Sequence, residues 1–248
     1  MQRFHQDKIK AWNYWAPSIE NHSSELIYNR IVENIQTNKH FSLIRLGDGD
    51  LKVLLGLGGT PVLPKYEELF KKSILPILKI SDSNLIVGIE NNTPCCELIS
   101  NNFPLELQNF YDEISPEFLK NNSVIFMHIY ANYGLLDLFE SFKNRNLIIV
   151  GPIYLGKLSI VSKSCKYVST EPENVWESYD TLENQVIDLI ENTEDPVILY
   201  ACTIAGKMLI SNLYVRYSDI TQIDIGSALD PYAGYITRPW QKNELLYE

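Results

Sequence analysis

The sequence lacks the features that mark several large classes of protein. It has four cysteines in 248 residues, with no C-x-x-C spacing and no nearby pair of histidines, which argues against a zinc site. It has no apolar run approaching the roughly 18 residues that mark a membrane-spanning helix, and its first residues contain no apolar signal-peptide core. We therefore expect a cytoplasmic protein with reduced thiols and no transmembrane segment.

Positive charge is also scarce. Lysine and arginine total 21 against 31 aspartates and glutamates, so the net charge is −10 and the sequence pI is about 4.9. A nucleic-acid-binding protein normally needs clustered basic residues to displace counterions from phosphates, so we expect no nucleic-acid partner. A small anionic ligand is compatible with this charge, because a few local donors or a metal ion can hold it.

The apolar runs predict an α/β fold. Several are nearly continuous in β-branched residues, as in strands that are buried on both faces. The predicted strands are 41–46, 84–89, 123–128, 146–150, 165–169, 196–201 and 221–225. Helical patterns lie between them, at 22–38, 66–79, 104–120, 132–144, 153–162, 174–192 and 204–217. This alternation predicts a Rossmann-like, doubly wound, mostly parallel sheet with helices on both faces.

The chain is predicted to form a single domain over residues 1–248, because no repeat, low-complexity tract or Pro/Gly-rich linker divides it. Residues 1–21 are interpreted as an N-terminal extension that packs on the domain or on a second subunit of a homo-oligomer. Residues 226–248 are interpreted as a tail that folds over the site. Ligands of doubly wound sheets bind beyond the carboxyl ends of the strands, so we expect the chemistry directly after each strand.

The first predicted strand runs into the acidic turn, which we define as Gly47-Asp48-Gly49-Asp50. Two glycines allow a sharp turn, and two aspartates separated by one residue can direct their carboxylates towards one divalent ion. Such an ion stabilises the diphosphate that leaves when a sugar is transferred from a nucleoside diphosphate. A structural turn that caps a helix starting near Leu51 explains the same residues.

The longer string Ser42–Asp50 resembles the R-[FL]-G-D-G-E signature of the GT-D glycosyltransferases, formerly a domain of unknown function. Gly151–Lys157 and Asp224–Tyr232 resemble later features of that family, so the similarity extends over most of the chain. The resemblance implies a metal-dependent transfer of a hexose from a nucleoside-diphosphate sugar, such as UDP-glucose or UDP-galactose, to a hydroxyl of a glycan or glycoconjugate. It places Mn²⁺ or Mg²⁺ and the donor diphosphate at Asp48 and Asp50, although Asp50 stands where the family usually has glutamate.

Other residues are assigned to the donor site by their place after predicted strands. Arg45 either closes a structural ion pair or acts beside the carboxylates, where it holds them in place or reaches a phosphate. Gly47 and Gly49 would bring the backbone close to the donor. Gly151 and Lys157 would offer free N–H groups and a positive charge to a diphosphate, or they form an ordinary strand-to-helix turn.

The tail supplies two further candidates. Asp230 is the predicted base that deprotonates or orients the acceptor, which makes it catalytic together with Asp50. Arg238 is predicted to hold the diphosphate, unless the tail is docked only by its aromatic residues. Glu90, which follows the predicted strand 84–89, is a weaker candidate for a base on the same rim. His128 ends the predicted strand 123–128 and is either a core histidine or a catalytic residue.

Two other functions remain open. Residues 151–158 nearly fit the P-loop pattern G-x-x-x-x-G-K-[ST], which is typical of phosphoryl transferases. However, Leu158 replaces the hydroxyl residue, and Pro152 removes a backbone donor. A non-catalytic protein that binds a nucleotide sugar would use the acidic turn without transferring the sugar.

Overall fold

The structure is a computed structural model that describes residues 21–57, 64–89, 99, 101–114, 125–126, 129, 134–171, 175, 177–217, 219–238 and 241. Within these residues six parallel strands form one sheet, in the order β2-β1-β6-β5-β3-β4. The strands are β1 (Ser42–Leu46), β2 (Leu85–Ile89), β3 (Asn146–Pro152), β4 (Ser164–Thr170), β5 (Pro196–Tyr200) and β6 (Thr221–Asp224). The predicted α/β class with a parallel sheet is confirmed.

Helices connect most of the strands. In chain order they are α1 (Asn21–Gln36), α2 (Asp48–Leu55), α3 (Pro64–Ile77), α4 (Pro104–Glu113), α5 (Leu136–Ser141), α6 (Tyr179–Glu191) and α7 (Thr203–Tyr214). Short 3-10 turns cover Ile153–Lys157, Gly226–Leu229 and Pro231–Ala233. The predicted helix at 153–162 is therefore only a 3-10 turn at its start.

Helices cover both faces of the sheet, and successive residues of each strand point to opposite faces. In β3, Ile148 and Val150 pack with α2, α3, α4, α6 and α7 on one face. Leu147 and Ile149 of the same strand pack with α1 and α5 on the other face. Strands covered on both sides need apolar residues at nearly every position, which explains why their sequences do not alternate.

One predicted strand is wrong. Ile125 and Phe126, in the middle of the predicted strand 123–128, are helical, and so is Ile129. These three residues are buried in the same apolar cluster as α1 and α5. Their i, i+1, i+4 spacing is that of one helix face, and a short apolar run does not distinguish such a helix from a buried strand.

Several predictions fall outside the described residues. They concern the N-terminal extension up to residue 20, Glu90, His128 and the tail beyond Arg238 except Gln241. The assignment of the whole chain to one domain stays a prediction. Among the residues that the structure does describe, no helix has the length and apolar character needed to cross a membrane.

Helix α7 packs against β5 at Gly206, where there is no room for a side chain. A methyl group at Gly206 would lie 2.9 Å from Cβ of Tyr200 and 3.1 Å from Sγ of Cys202. Tyr200 is fully buried in β5, so it has little room to move. The absence of a side chain at residue 206 therefore sets the distance between α7 and the sheet.

We predict that Gly206→Ala lowers the free energy of unfolding by about 1–3 kcal/mol, because the added methyl group overpacks the contact between α7 and β5. Urea denaturation monitored by circular dichroism measures this change. Gly49→Ala is the matched control, since Gly49 lies inside helix α2 and a methyl group there meets nothing within 4 Å. The control should gain roughly 0.5–1 kcal/mol, and an equal loss in both variants would contradict the packing argument.

Candidate functional site

In the structure the acidic turn is the beginning of a helix. Helix α2 starts at Asp48, directly after β1, and Gly47 is its N-cap residue in an extended conformation with φ of −86°. The backbone N–H of Gly47 donates a hydrogen bond of 2.9 Å to Oδ2 of Asp50. Neither Gly47 nor Gly49 adopts a positive φ. The turn therefore caps a helix, as the structural alternative predicted, but the helix begins at Asp48 instead of near Leu51, and Asp50 is its third residue. The sharp glycine turn is not present.

The two aspartates of the turn lie in different environments. The side chain of Asp48 is half-exposed and lies 3.5 Å from Nζ of Lys52, one helical turn away. Asp50 is buried, with 6% of its surface exposed. Side chains two residues apart on a helix do not face each other, which explains the difference.

Asp50 instead meets a lysine from a distant part of the chain. Nζ of Lys207, in the second turn of α7, lies 3.4 Å from Oδ2 of Asp50 and 3.5 Å from Oδ2 of Asp224. Asp224 is the last residue of β6, the strand next to β1. One buried ammonium group therefore holds two buried carboxylates that are far apart in the sequence.

Arg45 completes the cluster from the end of β1. Its backbone N–H donates to Oδ2 of Asp224 at 3.2 Å, and its Nε donates to the carbonyl oxygen of Asp224 at 2.6 Å. Nη2 of Arg45 lies 3.4 Å from Oδ1 of Asp224, and the guanidinium lies over the ring of Phe126 at 5.1 Å. The described contacts of Arg45 with Asp224 are those of a structural ion pair, which is one of the alternatives for this residue.

We call Arg45, Asp50, Lys207 and Asp224 the charge cluster. It contains two positive and two negative side chains, so its formal charge is zero. Burial by itself lowers the pKa of Lys207, but Asp224 and Asp50 outweigh it and the net shift is upward. Burial also raises the pKa of Asp50, although Lys207 and the N–H of Gly47 oppose that shift. Lys207 is therefore held in its charged form.

Gly226 gives Arg45 the space that it occupies. Its φ of +57° lies in the left-handed region that favours glycine. A methyl group at residue 226 would collide with Nη2 of Arg45. Gly226 therefore allows the chain to turn after β6 and leaves space for the ion pair between Arg45 and Asp224.

The tail folds back on itself through Asp230 and Gln241. Asp230 is buried and accepts a hydrogen bond from the hydroxyl of Thr237. The side chain of Gln241, which is fully buried, accepts from the backbone N–H groups of Thr237 and Arg238 at 2.7 Å each and donates to the carbonyl of Ser227 at 2.6 Å. These bonds join Gln241 to Ser227 at one end of the tail loop and fix the backbone at Thr237 and Arg238.

Tyr154 and Tyr235 link this loop to the turn after β3. Their rings stack with centroids 4.2 Å apart. Burial raises the pKa of Asp230, while hydrogen bonds from Thr237, Tyr154 and Gln241 oppose the shift. Arg238 is exposed beside Asp230 and lowers the pKa of the Tyr154 phenol, which burial and Asp230 raise. Asp230 and Arg238 thus lie together, one buried and one at the surface.

The segment from Gly151 to Lys157 does not have the geometry of a P-loop. Gly151 lies inside β3, where a methyl group would come within 2.8 Å of Leu155 and 2.9 Å of Ala201. The Tyr167 hydroxyl donates to the carbonyl of Gly151 at 2.6 Å. The 3-10 turn that follows ends at Lys157 and leads to β4 without an α-helix. Lys157 is exposed at the rim.

The residues fit a divalent ion in part. Asp48 offers a half-exposed carboxylate, whereas Asp50 is buried and both of its described contacts fall on Oδ2. Among the described residues, no group of three or more histidine, cysteine, aspartate or glutamate side chains could hold a metal by itself. An ion at this position would therefore complete its coordination with phosphate oxygens and water, as Mg²⁺ commonly does.

Sequence reasoning missed two residues of this region, Lys207 and Gln241. Lys207 interrupts the apolar pattern of α7, in which nearly every neighbouring side chain is buried. A charged residue in a buried helix needs a partner, so this position carried a signal. Gln241 carried none, because a polar residue near a chain end is ordinarily exposed.

Comparison with known proteins identifies the fold. The chain matches no family model and no curated protein. It is similar to two structures of domain of unknown function 1792, one of them described as having a distinct glycosyltransferase fold, with TM-scores of 0.63 and 0.62 at 19% and 20% identity. Each covers 81% of this chain and 77% of the other chain.

A third similar structure is a glycosyltransferase of the same domain from Streptococcus sanguinis, with a TM-score of 0.60 at 16% identity. It covers 83% of this chain and 81% of that chain. At these identities the similarity shows the fold. The resemblance to GT-D glycosyltransferases is confirmed at that level.

We predict that Gly226→Ala lowers the free energy of unfolding more than Gly234→Ala does. Both glycines have a positive φ, so both variants pay the same backbone cost, but only residue 226 collides with Arg45. The additional loss should be about 1–3 kcal/mol in the free energy of unfolding. Thermal and urea denaturation of the two variants measure it, and equal losses would show that Arg45 moves aside freely.

Proposed function

We propose that the chain is a glycosyltransferase that moves a hexose from a nucleoside-diphosphate sugar to a hydroxyl of a glycan or glycoconjugate. The observation that carries this proposal is the charge cluster beneath the acidic turn at the carboxyl ends of β1 and β6, in a fold shared with glycosyltransferase structures. Ligands of doubly wound sheets bind at this edge. The resemblance of the acidic turn to the GT-D signature supports a UDP-linked donor, UDP-glucose or UDP-galactose.

The donor diphosphate would lie over the acidic turn. Asp48 and Asp50 would hold Mn²⁺ or Mg²⁺, which would supply positive charge to the diphosphate as the sugar–phosphate bond breaks. Arg238 and Lys157 are exposed on the same rim and would contact phosphate oxygens directly. These assignments account for a net-negative protein that binds an anionic donor, because the positive charge is local.

The acceptor hydroxyl would lose its proton to Asp230 as the new glycosidic bond forms. Burial supports this role, because it raises the pKa of Asp230 and so strengthens the carboxylate as a base. The hydrogen bonds from Thr237 and Tyr154 would hold the carboxylate in a defined orientation. Gln241 would fix the loop that carries both Asp230 and Arg238.

We predict that the protein slowly hydrolyses a UDP-hexose and that this activity depends on a divalent ion. A screen of UDP-, GDP- and TDP-sugars with Mn²⁺, Mg²⁺ or EDTA, read by nucleotide release, tests it. Asp48→Ala and Asp50→Asn should each lower turnover at least about 100-fold, since charge stabilisation at a leaving group typically contributes that much. Asp112→Ala, an exposed aspartate on α4, is the control and should behave as the parent.

The same screen separates the competing functions. Hydrolysis that survives in Asp50→Asn but is lost in Lys157→Ala would contradict the proposed donor site and favour phosphoryl transfer at residues 151–157. UDP-sugar binding in calorimetry without any release or transfer would instead indicate a non-catalytic binding protein.

We predict that Asp230→Asn lowers kcat while the affinity for UDP stays within about threefold of the parent. The amide keeps the shape and can still accept the Thr237 hydrogen bond, but it cannot accept a proton. Steady-state kinetics measure the change in kcat, and calorimetry with UDP measures the change in affinity. If Asp230 only closes the tail, kcat of Asp230→Asn should stay close to that of the parent, because the amide keeps the Thr237 hydrogen bond.

A further inference from the structure

The charge cluster contains a residue to which neither the acidic turn nor the resemblance assigns a role. Lys207 is 8% exposed, and its ammonium lies between Asp50 of α2 and Asp224 of β6. It reaches both because Gly206 brings α7 close to β5. Lys207 therefore connects three elements at the edge where the donor is proposed to bind.

Stability alone does not explain such a cluster. Burying charged groups costs free energy, and replacing a buried ion pair by apolar residues of similar volume is often neutral or stabilising. The neighbours of Lys207 on α7 are apolar and buried, so an apolar residue would suit this position in the helix. A costly polar network in a packed core is typical of functional sites.

Lys207 helps to hold the carboxylate of Asp50 in place. Oδ2 of Asp50 is engaged by both Lys207 and the N–H of Gly47. These contacts come from α7 and from the residue before α2, so together they restrict the rotation of the carboxylate. Arg45 in turn holds Asp224, the second carboxylate that contacts the ammonium group of Lys207.

We propose that Lys207 is a positioning residue of the donor site, which fixes Asp50 in the orientation that receives the donor diphosphate and its cation. This inference rests on the proposed function and adds a residue to it. All bonds of the cluster are made between residues of the chain, so they can orient Asp50 without help from the donor. A carboxylate that is oriented in advance lowers the free-energy cost of binding.

Removal of Lys207 alone would leave two neighbouring buried carboxylates with only Arg45, so loss of folding could obscure the result. The double variant Lys207→Met/Asp224→Asn solves this problem, because it removes one positive and one negative charge. The amide oxygen introduced at position 224 still accepts a hydrogen bond from Arg45, and Asp50 keeps its bond to Gly47. We expect the double variant to melt closer to the parent than Lys207→Met does.

The deciding measurement is calorimetry with UDP and Mn²⁺, with the melting temperature of each variant measured in parallel. We expect the double variant to bind UDP·Mn²⁺ at least tenfold more weakly than the parent, and its kcat for UDP-hexose hydrolysis to fall about 100-fold, as for a misplaced catalytic group. Lys163→Met is the matched control, since Lys163 pairs with Glu194 at the opposite edge of the sheet and is exposed.

A double variant that is folded and binds UDP·Mn²⁺ as tightly as the parent overturns the inference and leaves the proposed function intact. A parent protein that binds no UDP, with or without Mn²⁺, overturns the proposed function and this inference with it. A folded double variant with weakened binding supports both, because a purely structural lysine would lose its effect once the charges are balanced.

Discussion

The constraint on which the site depends is that charged side chains cannot be buried without partners. At the carboxyl edge of the sheet, Lys207 and Arg45 provide these partners for Asp50 and Asp224. The four residues come from α7, β1, α2 and β6, so each element must be in place before the charges balance. The cluster thereby ties the beginning of α2 to the end of β6 and sets the floor of the site.

Two glycines permit this arrangement by the space that they leave. Gly206 allows α7 to approach β5 until Lys207 reaches the carboxylates, and Gly226 leaves room for the guanidinium of Arg45. Gly206 directly precedes Lys207 in the chain, and Gly226 lies against the guanidinium of Arg45. Packing around the two glycines thus limits where the ends of the Lys207 and Arg45 side chains can lie.

The tail forms a loop beside the turn after β3, and buried polar side chains hold it together. Gln241 bonds to the backbone at Ser227, Thr237 and Arg238, and Asp230 bonds to Thr237. Residues that are close in sequence make a loop of defined shape, and the Tyr154–Tyr235 stack attaches it to the turn after β3. In the proposed reaction, this loop presents Arg238 to the diphosphate and Asp230 to the acceptor.

The sequence by itself determined the α/β class, six of the seven predicted strands, and the acidic turn as a marker of a GT-D-like fold. These follow from local patterns: continuous apolar runs, helical periodicity and a short signature. Residues 123–128 show the limit, because their run of four apolar residues suits a buried helix as well as a strand. Only the tertiary structure decided that Asp50 faces Lys207 and Asp224 while Asp48 faces outward, and that Gln241 organises the tail. Contacts between residues so far apart in the chain depend on strand order and helix packing, and no local pattern encodes which charge will meet which.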